Sequence, residues 1–336
     1  MHFLDGMTLC RAATATACVA VSVVLWGSRP QGQGSQPHGQ ASAAAGAPVV
    51  TEVLAAQIML DRAGFSPGEI DGRRGRNLSR ALASFQRTNA LSVSGELDDA
   101  TWKALANRAN AQQPLVSYEV TADDVEGPFA DRIPNDLMKQ AELEALDYGS
   151  PLEMLAEKFH ASPSVLRRLN PESTFARTGE RLSVPNVAAI DPLAPLPGSR
   201  PVARIVVSRE ANALTVHDES GGVLFHAPVT TGSRYDPLPI GMWKVTGVQR
   251  MPAFNYNPAL FWDADPSHAK ARIAPGPNNP VGTVWIDITK EHYGIHGTPE
   301  PSRIGHVESH GCVRLTNWDA NRVALWARPG TEVIFR

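Results

Sequence analysis

Two stretches, Tyr293-Gly-Ile-His-Gly-Thr298 and Glu308-Ser-His-Gly-Cys-Val-Arg-Leu-Thr-Asn317, contain the most reactive side chains of this sequence. They contain Cys312, two histidines and an arginine among several glycines. The other cysteines, Cys10 and Cys18, lie in an apolar N-terminal segment typical of an export signal. Exported proteins meet an oxidising compartment and normally pair their structural cysteines. Cys312 has no partner in the mature chain, and we therefore predict a free thiol.

The neighbours of this thiol decide whether it is inert or nucleophilic, because a thiolate needs a nearby imidazole or oriented N–H groups. His310 lies two residues before Cys312, and on a β-strand the two side chains would share a face. His296, on an upstream loop or strand, could reach the sulfur from another direction. Gly311 lets a substrate approach the backbone, as an oxyanion hole of N–H groups requires. The alternative is a buried, unreactive cysteine beside histidines that only hydrogen-bond in a core. The two histidines, the glycines and Arg314 together favour the nucleophile.

Ile295-His-Gly-Thr298 and Ser309-His-Gly-Cys-Val-Arg314 resemble the signature of the L,D-transpeptidases, which are cysteine acyltransferases of the bacterial cell wall. Pro237-Leu-Pro-Ile-Gly241 and Pro275-Gly-Pro-Asn-Asn-Pro-Val-Gly282 extend the resemblance upstream. One departure is Asp236, since many members carry threonine at that position.

The resemblance implies a role for each residue of these motifs. Cys312 would be the nucleophile and His296 the general base, oriented by the carbonyl of Gly297 in place of a carboxylate. His310 and Gly311 would shape the site and its oxyanion hole. An arginine at the end of the motif would hold a substrate carboxylate or brace the loop. The residues implied to bind substrate are Arg314, Ser309, Asn317, Tyr293 and Thr298.

Length and composition are those of a soluble protein with more than one domain. The 336 residues allow two or three domains of ordinary size. A hydrophobic share of 43% and a charged share of 19% are typical of globular proteins. The formal net charge of −3 provides no basic surface for nucleic acid. With one cysteine in the mature chain and no H-E-x-x-H motif, neither a metal site nor a cofactor is expected.

Residues 1–26 are predicted to be a signal peptide or an inner-membrane anchor. Arg11 precedes an apolar run over 12–26, which is long enough for a signal sequence and short of the roughly 20 residues that span a bilayer. Residues 27–50, rich in Gly, Gln, Ser and Ala, are predicted to be a flexible linker because they cannot bury a core. We therefore expect an exported protein of the periplasm or cell wall, and the sequence leaves cleavage of the leader open.

Residues 51–110 are predicted to form a small domain of three helices. Apolar residues at helical spacing mark them: Leu54, Ala55 and Ile58 in the first, Ala81, Leu82 and Phe85 in the second, Trp102 and Leu105 in the third. Asp98 or Asp99 would cap the third helix. Ile70-Asp-Gly72 and Phe85-Gln86 resemble motifs of a peptidoglycan-binding domain found on many wall enzymes. The alternative is a generic helical bundle.

Residues 116–187 resemble a LysM module, which binds glycans that contain N-acetylglucosamine. One helix is predicted within 148–160 and a second from Ser162-Pro163, followed by a strand within 179–185. The match is partial, because the usual opening strand is obscured over 119–139.

Residues 202–336 are predicted to form a mainly β catalytic domain, a β-sandwich of mostly antiparallel strands. Short β-branched runs are separated by Asn, Gly and Pro clusters, and 317–327 is predicted to be a helix. Residues 251–274, rich in aromatic side chains, would be either a lid over the site or a hydrophobic satellite cluster. The predicted fold class is therefore multidomain: this domain, preceded by the three-helix domain and the small α/β LysM-like module.

The resemblance implies a two-step acyl transfer with peptidoglycan stem peptides and glycan as partners. Cys312 would attack the carbonyl before the terminal D-residue of a tetrapeptide stem, and an amine would then take the acyl group from the thioester. The amine could belong to another stem (a 3–3 crosslink), a lipoprotein lysine or a free D-amino acid. With water as acceptor the protein would be an L,D-carboxypeptidase, and without catalysis a wall-binding scaffold. An L,D-transpeptidase would also contribute to cell shape and be a carbapenem target.

Overall fold

The computed structural model describes residues 50–108, 112–188 and 202–336. The predicted leader and nearly all of the predicted linker lie outside these ranges. Within them, no helix is both long and apolar enough to cross a membrane. All of the described residues belong to one compact unit.

Three helices form the first part of this unit: α1 (Glu52–Arg62), α2 (Arg76–Thr88) and α3 (Asp99–Arg108). The hydroxyl of Thr51 accepts the N–H of Leu54 at 3.2 Å, which caps α1. The carboxylate of Asp98 accepts the N–H of Thr101 at 2.8 Å, which caps α3. The three predicted helices are confirmed.

The second part consists of two strands and four helices: β1 (Leu115–Glu119), α4 (Asp123–Glu126), α5 (Leu137–Gln140), α6 (Pro151–Lys158), α7 (Pro163–Leu169) and β2 (Arg181–Pro185). β1 and β2 pair antiparallel, with Ser117 opposite Ser183. Ser150 and Ser162 cap α6 and α7, and a proline follows each cap. The two predicted helices and the closing strand are confirmed. The opening strand that the sequence obscured is β1, and the LysM resemblance itself stays a prediction.

α1 is apolar on nearly every face because it is buried from two sides. Met59 and Leu60 pack in the core of the three helices. Leu54 and Ile58 pack in the core of the second part. A helix that is apolar all round is typical of a buried helix. The two parts therefore share a helix.

Ten strands and one helix form the third part: β3 (Val202–Ser208), β4 (Ala213–Asp218), β5 (Val223–Pro228), β6 (Gly241–Arg250), β7 (Phe254–Tyr256), β8 (Ala271–Ile273), β9 (Val284–Ile288), β10 (Gly294–His296), β11 (Val313–Arg314), α8 (Asn317–Ala324) and β12 (Glu332–Phe335). Eight of the strands make one sheet in the order β11-β10-β9-β6-β12-β3-β4-β5. The β10–β11 and β12–β3 pairs are parallel and the other pairs antiparallel.

The sheet curls around one core that both of its halves line. β6 joins the halves, pairing with β12 on one side and β9 on the other, and its register shifts between Val245 and Gly247. Such a shift bends a strand. Val216 from one half, Ile286 from the other and Val323 of α8 meet in the same buried cluster. The predicted mainly β domain is confirmed, with eight of its ten strands joined in a single curled sheet.

Residues 251–274 contain the hairpin of β7 and β8. Tyr256 and Ile273 of this hairpin pack with Leu146, which precedes α6, in a small buried cluster. The expected satellite cluster is therefore confirmed. The lid stays a prediction.

A buried charged cluster joins all three parts. The guanidinium of Arg322, on α8, donates to both carboxylate oxygens of Asp61, on α1, at 2.9 and 2.7 Å. His160 follows α6, and its Nδ1 lies 3.2 Å from the same carboxylate. Burial opposes ionisation of Asp61, but the charge of Arg322 and the contact with His160 outweigh it and hold the pKa of Asp61 below its usual range. Ser66 adds a second link, because its hydroxyl donates to Asp319 on α8 at 2.8 Å.

Candidate active site

Cys312 is a half-buried free thiol immediately before β11. Its Sγ lies 3.8 Å from the carbonyl oxygen of His292. Gly311 has φ +94°, in the region that favours glycine, and a Cβ at this position would overlap the ring of Tyr293. The glycine therefore allows Tyr293 to pack closely against the turn that carries the thiol.

The register of β10 and β11 sets the predicted base opposite the residue two positions after the thiol. Ile295 lies opposite Val313, and both side chains are fully buried in the core. His296 lies opposite Arg314. Because successive side chains of a strand alternate, His296 and Arg314 point away from that core.

His296 is held in one tautomer by the backbone. Its Nδ1 lies 2.7 Å from the carbonyl oxygen of Gly297, which can only accept, so Nδ1 carries the proton and Nε2 is left as an acceptor. The ring stacks on Trp285 with centroids 5.4 Å apart. Burial, followed by the charge of Arg314, lowers the pKa of His296 to about 3. The imidazole is therefore neutral, which is the form a general base requires.

The electrostatics of Cys312 keep its proton on the sulfur at rest. Burial raises the pKa of the thiol above its usual value, and the negative charge of Asp236 adds to this effect. The N–H of Gly294 and the charge of Arg314 act in the opposite direction without cancelling it. The resting site is a neutral thiol beside a neutral imidazole, so the thiol needs a proton acceptor in order to react.

Arg314 has capacity left for an anion. Its Nε is buried and makes no hydrogen bond within the described part of the chain. Burial lowers the pKa of the guanidinium, and the nearby Cys312, Glu300 and Asp263 oppose this effect without cancelling it. A bound carboxylate would satisfy this group.

Ser309 and Thr298 brace the loops on either side of the cleft. The hydroxyl of Ser309 donates to the carbonyl of Cys312 at 2.7 Å. The hydroxyl of Thr298 accepts the N–H of Glu300 at 3.2 Å. Both residues are buried, and a substrate contact for them stays a prediction.

His310 does not share a strand face with Cys312, contrary to the expectation from their spacing. β11 begins only at Val313, and the left-handed conformation of Gly311 turns the chain between the two residues. The Nε2 of His310 instead lies 2.7 Å from a carboxylate oxygen of Asp263, at the tip of the 251–274 hairpin. The Nδ1 of His310 is buried and has no hydrogen-bond partner among residues 50–108, 112–188 and 202–336.

Asn317 is held by protein partners, and a substrate contact for it stays a prediction. The residue is 1% exposed. Its Oδ1 accepts the N–H of Thr283 at 3.1 Å, and its Nδ2 donates to the carbonyl of Pro277 at 3.1 Å and to Glu157 at 3.0 Å. With these partners, the amide ties loops together.

Sequence reasoning did not identify the partners of the aromatic side chains in 251–274. Phe261 and Trp262 contact the ring of His310, with centroid distances of 5.1 and 5.9 Å. Trp262 also packs on Tyr235, at 4.4 Å, from the loop that carries Asp236. The only signal in the sequence was the aromatic content of 251–274, which gave no partner for these rings.

Two family models match parts of this chain. A family model described as the L,D-transpeptidase catalytic domain matches residues 202–335, and one described as a putative peptidoglycan binding domain matches residues 50–105. The putative L,D-transpeptidase YqjB of Bacillus subtilis is 30% identical over 148 residues, which cover 42% of this chain and 73% of that protein. The putative L,D-transpeptidase YkuD of Bacillus subtilis is 28% identical over 186 residues, covering 55% of this chain and 93% of that protein.

Among solved structures, an L,D-transpeptidase from Mycobacterium smegmatis is 20% identical with a TM-score of 0.33, covering 47% of this chain and 63% of that one. An L,D-transpeptidase from Xylanimonas cellulosilytica is 15% identical with a TM-score of 0.37, covering 85% of this chain and 94% of that one. On the sequence relatives and the family match, this chain belongs to the L,D-transpeptidase family.

Proposed function

We propose that the protein is a cell-wall L,D-transpeptidase that transfers the acyl group of a peptidoglycan tetrapeptide stem to an amine through a thioester on Cys312. One arrangement supports this most directly. On β10, on β11 or immediately before β11 stand a free thiol, a neutral buried imidazole with an acceptor nitrogen, and a guanidinium whose Nε has no hydrogen-bond partner among the described residues. These are the groups that nucleophilic acyl transfer to and from a carboxylated peptide requires.

In the first step, the sulfur of Cys312 attacks the carbonyl carbon between the L-centre and the terminal D-residue, and the thiol proton passes to Nε2 of His296. Backbone N–H groups around Gly311 and Cys312 hold the developing oxyanion. The carbon–nitrogen bond then breaks, and His296 returns the proton to the leaving amine of D-alanine. A thioester remains on the enzyme.

In the second step, the acceptor amine attacks the thioester carbonyl while His296 takes a proton from the nitrogen. The carbon–sulfur bond breaks, and His296 returns the proton to the sulfur. The acceptor is the side-chain amine of another stem, a lipoprotein lysine or a free D-amino acid. The ring of Trp262 packs against His310 and against Tyr235 beside this site.

Arg314 binds the carboxylate of the terminal D-residue in this proposal. Its buried, unsatisfied Nε supports the role, since a charged group without a partner costs free energy until an anion arrives. The same charge helps to stabilise the thiolate as it forms.

The two preceding parts hold the enzyme on the wall. Residues 50–105 bind peptidoglycan in this proposal, in line with the family description they match. The second part has a cavity of about 370 Å³ whose lining includes the apolar Leu152 and Phe175 and the polar Ser150 and Asn170, and this mixture suits a sugar ring. The protein acts outside the cytoplasm, with residues 1–26 as its signal peptide or anchor, and its crosslinks contribute to cell shape.

The products formed from a disaccharide-tetrapeptide test this proposal. The protein and its Cys312→Ala variant are incubated with the substrate, with and without a D-amino acid, and the products are identified by mass spectrometry. Crosslinked dimer or exchanged amino acid, lost in the variant, is expected. Tripeptide alone would make the protein a carboxypeptidase, and an unchanged substrate would make it a scaffold.

A further inference from the structure

Helix α6, which belongs to the second part of the chain, reaches into the catalytic domain with two glutamates one turn apart. Glu153 accepts the side-chain amide N–H of Asn278 at 2.8 Å. Glu157 accepts the side-chain amide N–H of Asn317 at 3.2 and 3.0 Å, one distance to each carboxylate oxygen. Each carboxylate therefore holds one asparagine of the catalytic domain.

Asn317 fills the space between two backbone segments of the active site. A Cβ at Gly282 or at Gly297 would overlap the Oδ1 of Asn317, so both positions require glycine for this packing. The Oδ1 also accepts the backbone N–H of Thr283, which fixes the amide with its Nδ2 toward Glu157. The peptide after Gly297 is therefore held from one side by Asn317.

The carbonyl of that peptide is the group that orients His296. Gly297 O lies 2.7 Å from the Nδ1 of His296, and the N–H of Gly297 donates to Val284 O at 3.2 Å. A displacement of Asn317 would shift Gly297. Its carbonyl makes the only hydrogen bond that the Nδ1 of His296 has among the described residues, so His296 would lose its orientation.

We propose that Glu157 is a positioning residue for the catalytic base, acting on His296 through Asn317 and the Gly297 peptide. The inference rests on the proposed role of His296. If Glu157 has this role, α6 is part of the active-site scaffold. Catalysis then depends on the docking of a helix that carries no reacting group. Tyr148 completes the arrangement, because its hydroxyl donates to Glu157 at 2.9 Å and fixes the carboxyl group from the other side.

Three variants of Glu157 and one matched control test the inference. Glu157→Ala removes the acceptor, and Glu157→Asp withdraws it by one methylene while keeping its charge. Glu157→Gln keeps a carbonyl oxygen within reach of Asn317. The control is Glu153→Ala, which removes the equivalent contact to Asn278 on the same helix; Glu153 makes no hydrogen bond to Asn317, Gly297 or His296 among the described residues.

The readout is the turnover of tetrapeptide stem together with the pH dependence of alkylation of Cys312 by iodoacetamide. Glu157→Ala and Glu157→Asp are expected to lower kcat about tenfold or more with little change in KM, since a misplaced catalytic group lowers the rate of the chemical step. In the same two variants, alkylation of Cys312 at neutral pH should also be slower than in the wild type. At high pH, where hydroxide removes the thiol proton, the alkylation rate should match the wild type. Glu157→Gln and Glu153→Ala should turn over at close to the wild-type rate.

Wild-type kcat in Glu157→Asp, or an equal loss in Glu153→Ala, would overturn the inference. Faster alkylation at every pH would show an unfolded loop and also overturn it. If the wild-type protein itself fails to acylate Cys312, the proposed function fails and not this inference alone. If Glu157→Ala does not fold, Glu157→Asp and Glu157→Gln still decide the question.

Discussion

Replacement of Arg322 by alanine tests whether the three parts of the chain fold as one unit. Arg322 makes two hydrogen bonds to Asp61 across the boundary between α8 and α1, and both residues are buried. Removing one partner of a buried ion pair leaves the other charge uncompensated and typically costs about 3–5 kcal/mol. Asp319, whose carboxylate lies 3.8 Å from the guanidinium, would lose a compensating charge as well. We therefore expect the free energy of unfolding to fall by about 3–5 kcal/mol.

Urea unfolding followed by tryptophan fluorescence and far-ultraviolet circular dichroism measures this change. Both probes should report the same single transition, shifted to lower urea. The matched control is Arg74→Ala, which breaks an exposed ion pair with Glu96 and should cost less than about 1 kcal/mol. A combined Arg322→Met and Asp61→Leu variant should recover much of the loss, because apolar residues can replace a buried ion pair. A loss in Arg322→Ala no larger than in the control, or two separate transitions in the wild type, would refute the reasoning.

Three further changes probe the electrostatics and shape of the site. Asp236→Asn removes a charge that raises the pKa of Cys312, so the pH profile of thiol alkylation should shift to lower pH. An unshifted profile would contradict this. Burial and, second to it, the charge of Arg314 lower the pKa of His296 to about 3, so Arg314→Met should move the acid limb of acylation to higher pH. A limb that stays in place would count against His296 as the base. Gly311→Ala should abolish acylation because the added Cβ overlaps the ring of Tyr293. The control is Gly179→Ala, a glycine with φ +82° but open space around it, which should leave acylation intact. Equal activity in both variants would exclude the overlap as the cause.

The sequence predicted those features that depend on local pattern. Ser162-Pro163 is a cap followed by a proline with a suitable fixed φ, and α7 begins there as predicted. The β-branched run at 284–288 is β9 as expected from its composition. The thiol and the histidines were found because their spacing matches a long family motif.

Features that depend on distant partners could not be predicted in this way. β10 and β11 have three and two residues, too few for a pattern, and exist because their neighbours in the sheet supply hydrogen bonds. Asn317 stands beside the catalytic motif and was expected to bind substrate, but its partner Glu157 lies 160 residues earlier. The contact of His310 with Asp263 spans 47 residues in the same way. Tertiary packing alone decides such contacts.

The mass of the intact, reduced protein after incubation with a carbapenem tests the central claim, an accessible and activated sulfur at Cys312. A carbapenem carries a strained acyl group that this sulfur should open to a stable thioester. We predict a mass increase of one inhibitor molecule, located on Cys312 by peptide mapping and absent from Cys312→Ala. An unmodified mass, or an adduct on any other residue, would contradict the account.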